Sequence, residues 1–171
     1  MSPTVMAGLL IGALCGVWTF VMGFTGWYKA PAHYQIFIPV VTLIEVAVLL
    51  WGLSRTARMG RTYSGQVVAG TLMSLIGGAV IVCLSLVFTT VAFPEYFDEI
   101  NAMSRDIMTK AGKTEAEIAA SIDAVSTMQT PLGNAFAGFV GTVITGIVAS
   151  ALIAIWVRAR PGSPQVSRSR A

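Results

Sequence analysis

Four long apolar stretches, at residues 5–27, 34–53, 67–93 and 132–157, constrain this chain more than any other feature. Each runs to about 20 residues or more, and at ~1.5 Å per residue a helix of that length crosses a hydrocarbon layer of roughly 30 Å. Only 11% of the 171 residues are charged, 55% are hydrophobic, and the mean hydropathy is +0.75. A soluble domain carries roughly 25% charged residues, so most of this surface must face something other than water. The charges are also segregated: of 11 basic and 8 acidic side chains, only Glu45 interrupts an apolar stretch. Lipid offers the backbone no hydrogen-bond partner, which leaves helices or a closed barrel. Stretches one, three and four are glycine-rich and lack the alternation of barrel strands, so the expected fold is all-α with four transmembrane helices. The third and fourth exceed the minimum length, which implies tilt or extension beyond the bilayer. Residues 1–4 hold no basic side chain and the first stretch is too long for a signal peptide, so it is expected to stay rather than be cleaved near Ala30-Pro31-Ala32.

The basic residues orient the spans. Arg55, Arg58 and Arg61 lie between stretches two and three, and Arg158, Arg160, Arg168 and Arg170 follow stretch four, with no acid among them. The opposite side has Lys29 in a short loop and, at 94–131, three basic residues against seven acids. Excess Lys and Arg mark cytoplasmic loops, so both termini are expected in the cytoplasm. Aromatic residues fall where interfacial belts require them: Trp27, Tyr28, Tyr34, Phe93, Tyr96 and Phe97 outside, and Trp51, Tyr63 and Trp156 inside. The net charge of +3 thus reflects topology and gives no reason to expect nucleic acid. Arg55, Arg58, Arg61, Arg158 and Arg160 also form a basic cluster facing lipid headgroups, at about 1 kcal/mol each with anionic lipid. Residues 1–158 read as one transmembrane domain, and 159–171 as a disordered basic tail.

The outer loop at 94–131 reads as two short amphipathic helices. Pro94 and the acids Glu95, Asp98 and Glu99 suit a helix start, and Gly112 suits a left-handed cap. Thr114 with Glu117 forms a capping box that opens the second helix. Phe97, Ile100, Ile107, Ile118, Ile122 and Val125 recur at helical spacing and make an apolar face for lipid, for the bundle or for a partner. Thr130-Pro131 stops the second helix.

Helices in lipid associate through small residues that permit close approach. Stripes at every fourth position occur as Gly8, Gly12 and Gly16, as Gly70, Ser74 and Gly78, and as Gly138, Thr142, Gly146, Ser150 and Ala154. They are either contact faces of one bundle or, for the last and longest, a face for a partner or a second copy. Cys15 and Cys83 lie inside spans and read as small apolar packers.

Glu45, within Thr42-Leu43-Ile44-Glu45-Val46-Ala47, sits near the centre of span two, where a charged side chain costs about 2.5–3.5 kcal/mol. No Lys, Arg or His lies inside any span, so a neutral carboxyl hydrogen-bonded to Thr42, or to a Ser or Thr of spans three or four, is one expectation. The other is a group that responds to protons or ions. Transporters usually add further polar groups and a broken helix at midplane, and Pro39 lies too near the end of its span to break it.

The lone His33 has no Cys or acid spaced to complete a metal site, and no phosphate loop, dinucleotide fingerprint or nucleophile elbow occurs. Neither enzymatic activity nor a cofactor is therefore expected.

Several stretches resemble a bacterial membrane family catalogued as domain of unknown function 4199. They are Tyr63-Ser64-Gly65-Gln66 through Ala69-Gly70, Phe93-Pro94-Glu95-Tyr96-Phe97-Asp98-Glu99, Gly112-Lys113-Thr114-Glu115-Ala116-Glu117-Ile118 and Pro131-Leu132-Gly133-Asn134-Ala135-Phe136. The resemblance implies a four-helix protein of the bacterial cytoplasmic membrane and brings no activity or site residues. Size, missing catalytic groups and unassigned apolar faces lead to one functional expectation: an accessory, assembly or stabilising subunit of a larger membrane complex. The alternative is a small oligomeric transporter or channel that uses Glu45.

Overall fold

The computed structural model describes residues 1–157; Arg158, Arg160 and the tail at 159–171 lie outside the described residues. Among the described residues there is no strand. Four helices are long and apolar enough to cross a membrane, so the chain is a multi-pass membrane protein. The first is α1 (Pro3–Phe24), opened by Ser2, whose hydroxyl accepts from the Val5 N–H at 3.3 Å. A 3₁₀ turn (Trp27–Lys29) and the short α2 (Pro31–Tyr34) lead into α3 (Phe37–Ala57). Then come α4 (Tyr63–Val87), a π-helical turn (Phe88–Ala92), α5 (Tyr96–Lys110), α6 (Glu115–Asp123) and α7 (Pro131–Val157).

Several ends differ from those the hydropathy suggests, for backbone reasons. An apolar run stops at the first charge, but a helix does not. The α3 ladder continues through Arg55 to Ala57, and α4 begins at Tyr63, four residues before its apolar stretch. The basic loop shrinks to residues 58–62, and Arg55 stands on the last turn of α3. Gly26, at φ 69°, ends α1 before Trp27. Beyond the π-helical turn, α5 starts at Tyr96 rather than at Pro94, and Gly112 takes φ 78° beyond its end. The Thr114–Glu117 capping box opens α6. That helix ends at Asp123, where successive turns begin and Ser126 donates its hydroxyl to the Asp123 carbonyl at 2.7 Å. Val125 and Met128 are consequently exposed turn residues and do not belong to an apolar helix face.

Helix pairing follows the small residues. Along α1, Gly8 and Gly12 bring the backbone against α4: a Cβ on either would meet the Met73 or Gly77 carbonyl at 2.7 or 2.8 Å. Their partners Ile76, Val80 and Leu84 ascend in step with Gly8, Gly12 and Gly16, so α1 and α4 run parallel. The other face of α4 packs on α7 in the opposite sense, with Gly70 against Ser150, Ser74 against Gly146 and Gly78 against Phe139. Helix α3 closes the bundle against α1 and α7, with Gly52 against Ala7 and Met73. The apolar core (Ala7, Ile11, Leu49, Leu53, Ala69, Met73) gathers toward one end, and Val157 is hydrogen-bonded to Gln66 there. We call this the arginine end and the opposite one the arm end. Outward residues such as Leu43, Val68, Ile144 and Leu152 are apolar and more than half exposed, as a lipid-facing surface must be.

Of the two readings of the α7 stripe, the contact face within one bundle is the one these helices adopt. The stripe on α7 is occupied within the chain: Gly146, Ser150 and Ala154 are buried, the first two against α4, and Gly138 and Thr142 are half-buried. Ser74 and Ser150 each fill the notch left by a glycine on the facing helix, so that face is not open to a second copy.

Candidate functional site

Glu45 comes from the middle of α3 and is 4% exposed. It shares the buried face of α3 with Leu49, Gly52 and Thr56 at helical spacing, which turns the carboxyl inward, toward the line along which α4 and α7 meet. The Ser74 hydroxyl on α4 donates to Glu45 Oε1 at 3.0 Å. Gly146 on α7 makes the room, since a Cβ there would lie 3.0 Å from the same oxygen and collide with the Ser74 hydroxyl. Glu45 thus ties three helices at one point, through Ser74 and not through Thr42. Cys15 lies on the neighbouring helix, where its thiol contacts the Val41 carbonyl at 3.9 Å. Clefts lined by Arg55 and Arg58 at the arginine end and by Tyr28 and Glu99 at the arm end do not include Glu45.

A second polar junction, at the arginine end, escapes a reading of the sequence. Gln66 of α4 is fully buried, and its amide N–H groups donate to the Leu53 carbonyl of α3 at 3.1 Å and the Val157 carbonyl of α7 at 3.5 Å. Its carbonyl accepts from the Thr56 hydroxyl at 2.6 Å. Gln66 stands on the same face of α4 as Gly70, Ser74 and Gly78, at steps of four residues. Extending that stripe one step back past the apolar boundary would have found it. Nearer the arm end, the Asn134 amide of α7 donates to Ser85 of α4 at 3.0 Å.

The arm formed by α5 and α6 is held by a latch. Glu99 of α5 accepts from Lys29 at 2.6 Å and from the Tyr28 hydroxyl. Tyr28 is buried among Phe93 and Tyr96. Lys29, and then Tyr28, hold the Glu99 carboxyl below its usual range, while burial and Glu99 push the Tyr28 hydroxyl up. Ile100 and Ile118 are buried, Phe97 and Ile122 half-buried, and Ile107 and Val125 exposed, so the proposed apolar face of the loop is divided.

The latch has a pH dependence of definite sign. A carboxyl with a lowered folded-state value stabilises the fold above its unfolded value and loses that contribution as pH falls through the folded one. Amide exchange in α5 is therefore expected to rise as pH drops below about 4.3, the ordinary glutamate value, after correction for the intrinsic rate. Glu99→Gln should show the raised α5 exchange already at neutral pH. Equal protection of α5 in both proteins at neutral pH would remove the latch.

Among the described residues no three His, Cys, Asp or Glu side chains gather where a metal ion could sit. The site chemistry amounts to one intramembrane carboxyl with a hydroxyl partner, one buried amide junction, and one ion-paired latch. No curated protein matches the chain, and no solved structure does. Residues 7–159 match the model of the family described as Protein of unknown function (DUF4199), and the chain belongs to that family.

Proposed function

We propose that this chain is a non-enzymatic accessory subunit that assembles with or stabilises a larger complex in a bacterial cytoplasmic membrane, with both termini cytoplasmic. The observation that carries this reading is the division of the outer arm. Its inner residues Ile100 and Ile118 are buried, while Ile107, Val125 and Met128 stand exposed. The small-residue faces of α1, α4 and α7 are taken up inside the bundle, which leaves the arm as the contact surface for another membrane protein.

A photo-crosslinking side chain at Ile107 or Val125, in cells expressing the tagged chain, is expected to capture one stoichiometric partner that also co-purifies in mild detergent. The same probe at lipid-facing Leu43 is expected to capture none. Crosslinks only between copies of this chain, or none at all from the arm, would defeat the accessory reading.

A second reading, an oligomeric transporter or channel that uses Glu45, draws on the burial of that carboxyl at a three-helix junction. The two separate at Glu45→Gln, which keeps an acceptor for Ser74. As a packing contact, the substitution costs less than about 0.6 kcal/mol, the average for a whole interhelical hydrogen bond in a membrane, and leaves partner capture intact. Loss of a proton-driven flux in proteoliposomes, with the fold retained, would instead favour transport.

A further inference from the structure

The two ends of the bundle treat their charges differently. At the arm end Lys29 pairs with Glu99, Lys110 with Asp106 and Arg105 with Glu115. The arginine end contains no Asp or Glu at all: the eight acids are Glu45 and seven residues between 95 and 123. Arg55 and Arg58, three residues apart at the end of α3, therefore have no Asp or Glu side chain to meet among the described residues, and both are exposed. The Arg55 guanidinium lies over the Trp51 ring at 4.6 Å from its centroid, which restricts the side chain to one side of the helix. With Ala47, Leu50 and Ser54, these residues line an open groove of about 330 Å³. The Ser54 hydroxyl donates to the Leu50 carbonyl at 2.6 Å, so the groove's donors are the two guanidinium groups and the Trp51 indole N–H. Toward the bundle centre the groove continues over exposed Ala47 and Leu50, which suit hydrocarbon and not water.

We propose that this groove binds the phosphate headgroup of an anionic phospholipid. Arg55, held by Trp51, and Arg58 clamp the phosphodiester, and Leu50 and Ala47 lie along the acyl chains. Guanidinium forks match phosphate oxygens in geometry as well as charge. A free phosphate would satisfy the arginines but leave the apolar floor without a partner, and this favours the lipid as the source.

The test uses the full purified chain, titrated in detergent with phosphatidylglycerol or phosphatidylcholine and read by native mass spectrometry. Phosphatidylglycerol is expected to bind about tenfold or more tightly than phosphatidylcholine. The double variant Arg55→Gln/Arg58→Gln is expected to lose that preference while keeping the wild-type thermal midpoint. Arg55→Lys/Arg58→Lys keeps the net charge but loses the fork and the ring stack, and is expected to lose most of the preference too. Should the lysine variant bind like wild type, the attraction is general charge and the groove is not a site. Retained preference in the glutamine variant overturns the proposal as well. Displacement of phosphatidylglycerol by millimolar inorganic phosphate would assign the site to a soluble anion. A second readout needs no arginine change: in a Trp156→Phe background, brominated phosphatidylglycerol should quench tryptophan fluorescence more than brominated phosphatidylcholine does. Equal quenching counts against the site.

Discussion

Gly146→Leu lowers the thermal midpoint of the detergent-solubilised chain by about 5 °C or more, whereas Gly141→Leu leaves it within about 2 °C. Both glycines lie on α7 and five residues apart, so helix propensity and hydrophobicity change equally. They differ in what a side chain would meet. At Gly141 no atom lies within 4 Å of a new Cβ. At Gly146 the new Cβ overlaps the Ser74 hydroxyl and stands 3.0 Å from the Glu45 carboxyl. The Ser74 Cβ, 2.4 Å from the new atom, cannot swing away, the Glu45 carboxyl is held by the Ser74 hydroxyl, and both residues are buried between helices. Relief requires α7 to move away from α4, which opens the contacts at Gly70–Ser150 as well. Overpacking of a filled core costs about 1–3 kcal/mol or more. For a chain of this size, that corresponds to roughly 2–4 °C per kcal/mol. Midpoints that fall together, or not at all, would mean that α7 is not wedged against α4 at this point.

The spans were legible because lipid leaves only helices or a closed barrel, and stretches this long without alternation fit only the first. Their ends were less so, since hydropathy records where side chains become polar and not where hydrogen bonds stop. Arg55 through Ala57 and Tyr63 through Gln66 look like loop by composition and are helix by backbone. The stripes of small residues could also be read, but not which stripe meets which. Gly8, Gly12 and Gly16 pack on the larger Ile76, Val80 and Leu84, while the α4 and α7 stripes interlock serine into glycine. Family membership was visible in short motifs around Tyr63–Gln66 and Phe93–Glu99, and the match over residues 7–159 bears it out.

The candidate sites divide in the same manner. Glu45 stood out because a carboxyl in an apolar run needs a polar partner, yet the sequence does not single out Ser74, which is 29 residues away on another helix. Nothing local announces the latch between Tyr28 and Glu99, separated by 71 residues. The exposed groove at Trp51, Arg55 and Arg58 lies on one helix, so its members were individually visible as belt and topology signals. Their shared face emerges only once α3 is seen to continue past the apolar boundary.

Gln66→Ala is expected to cost about 2–4 kcal/mol, and Gln66→Leu about 1 kcal/mol or less. The difference comes from what each variant leaves behind. Gln66 is fully buried where α3, α4 and α7 meet, so truncation to alanine leaves a void among helices already in close contact. Its polar partners are better provided for. The Thr56 hydroxyl also lies 3.0 Å from the Leu53 carbonyl of its own helix, and it can donate there when the Gln66 oxygen is gone. That same bond gives the Leu53 carbonyl a donor in place of the lost amide. Leucine fills most of the volume and forfeits only the cross-helix ties, the longest of which, to Val157, is already 3.5 Å. Thermal unfolding of the three proteins in one detergent, with amide exchange at the end of α3, measures the two contributions. Equal losses for Gln66→Leu and Gln66→Ala would show that the hydrogen bonds, and not the volume, hold this junction. The weak interhelical bonds typical of membranes would then be the wrong guide to it, and Glu45→Gln would have to be re-examined on the same scale.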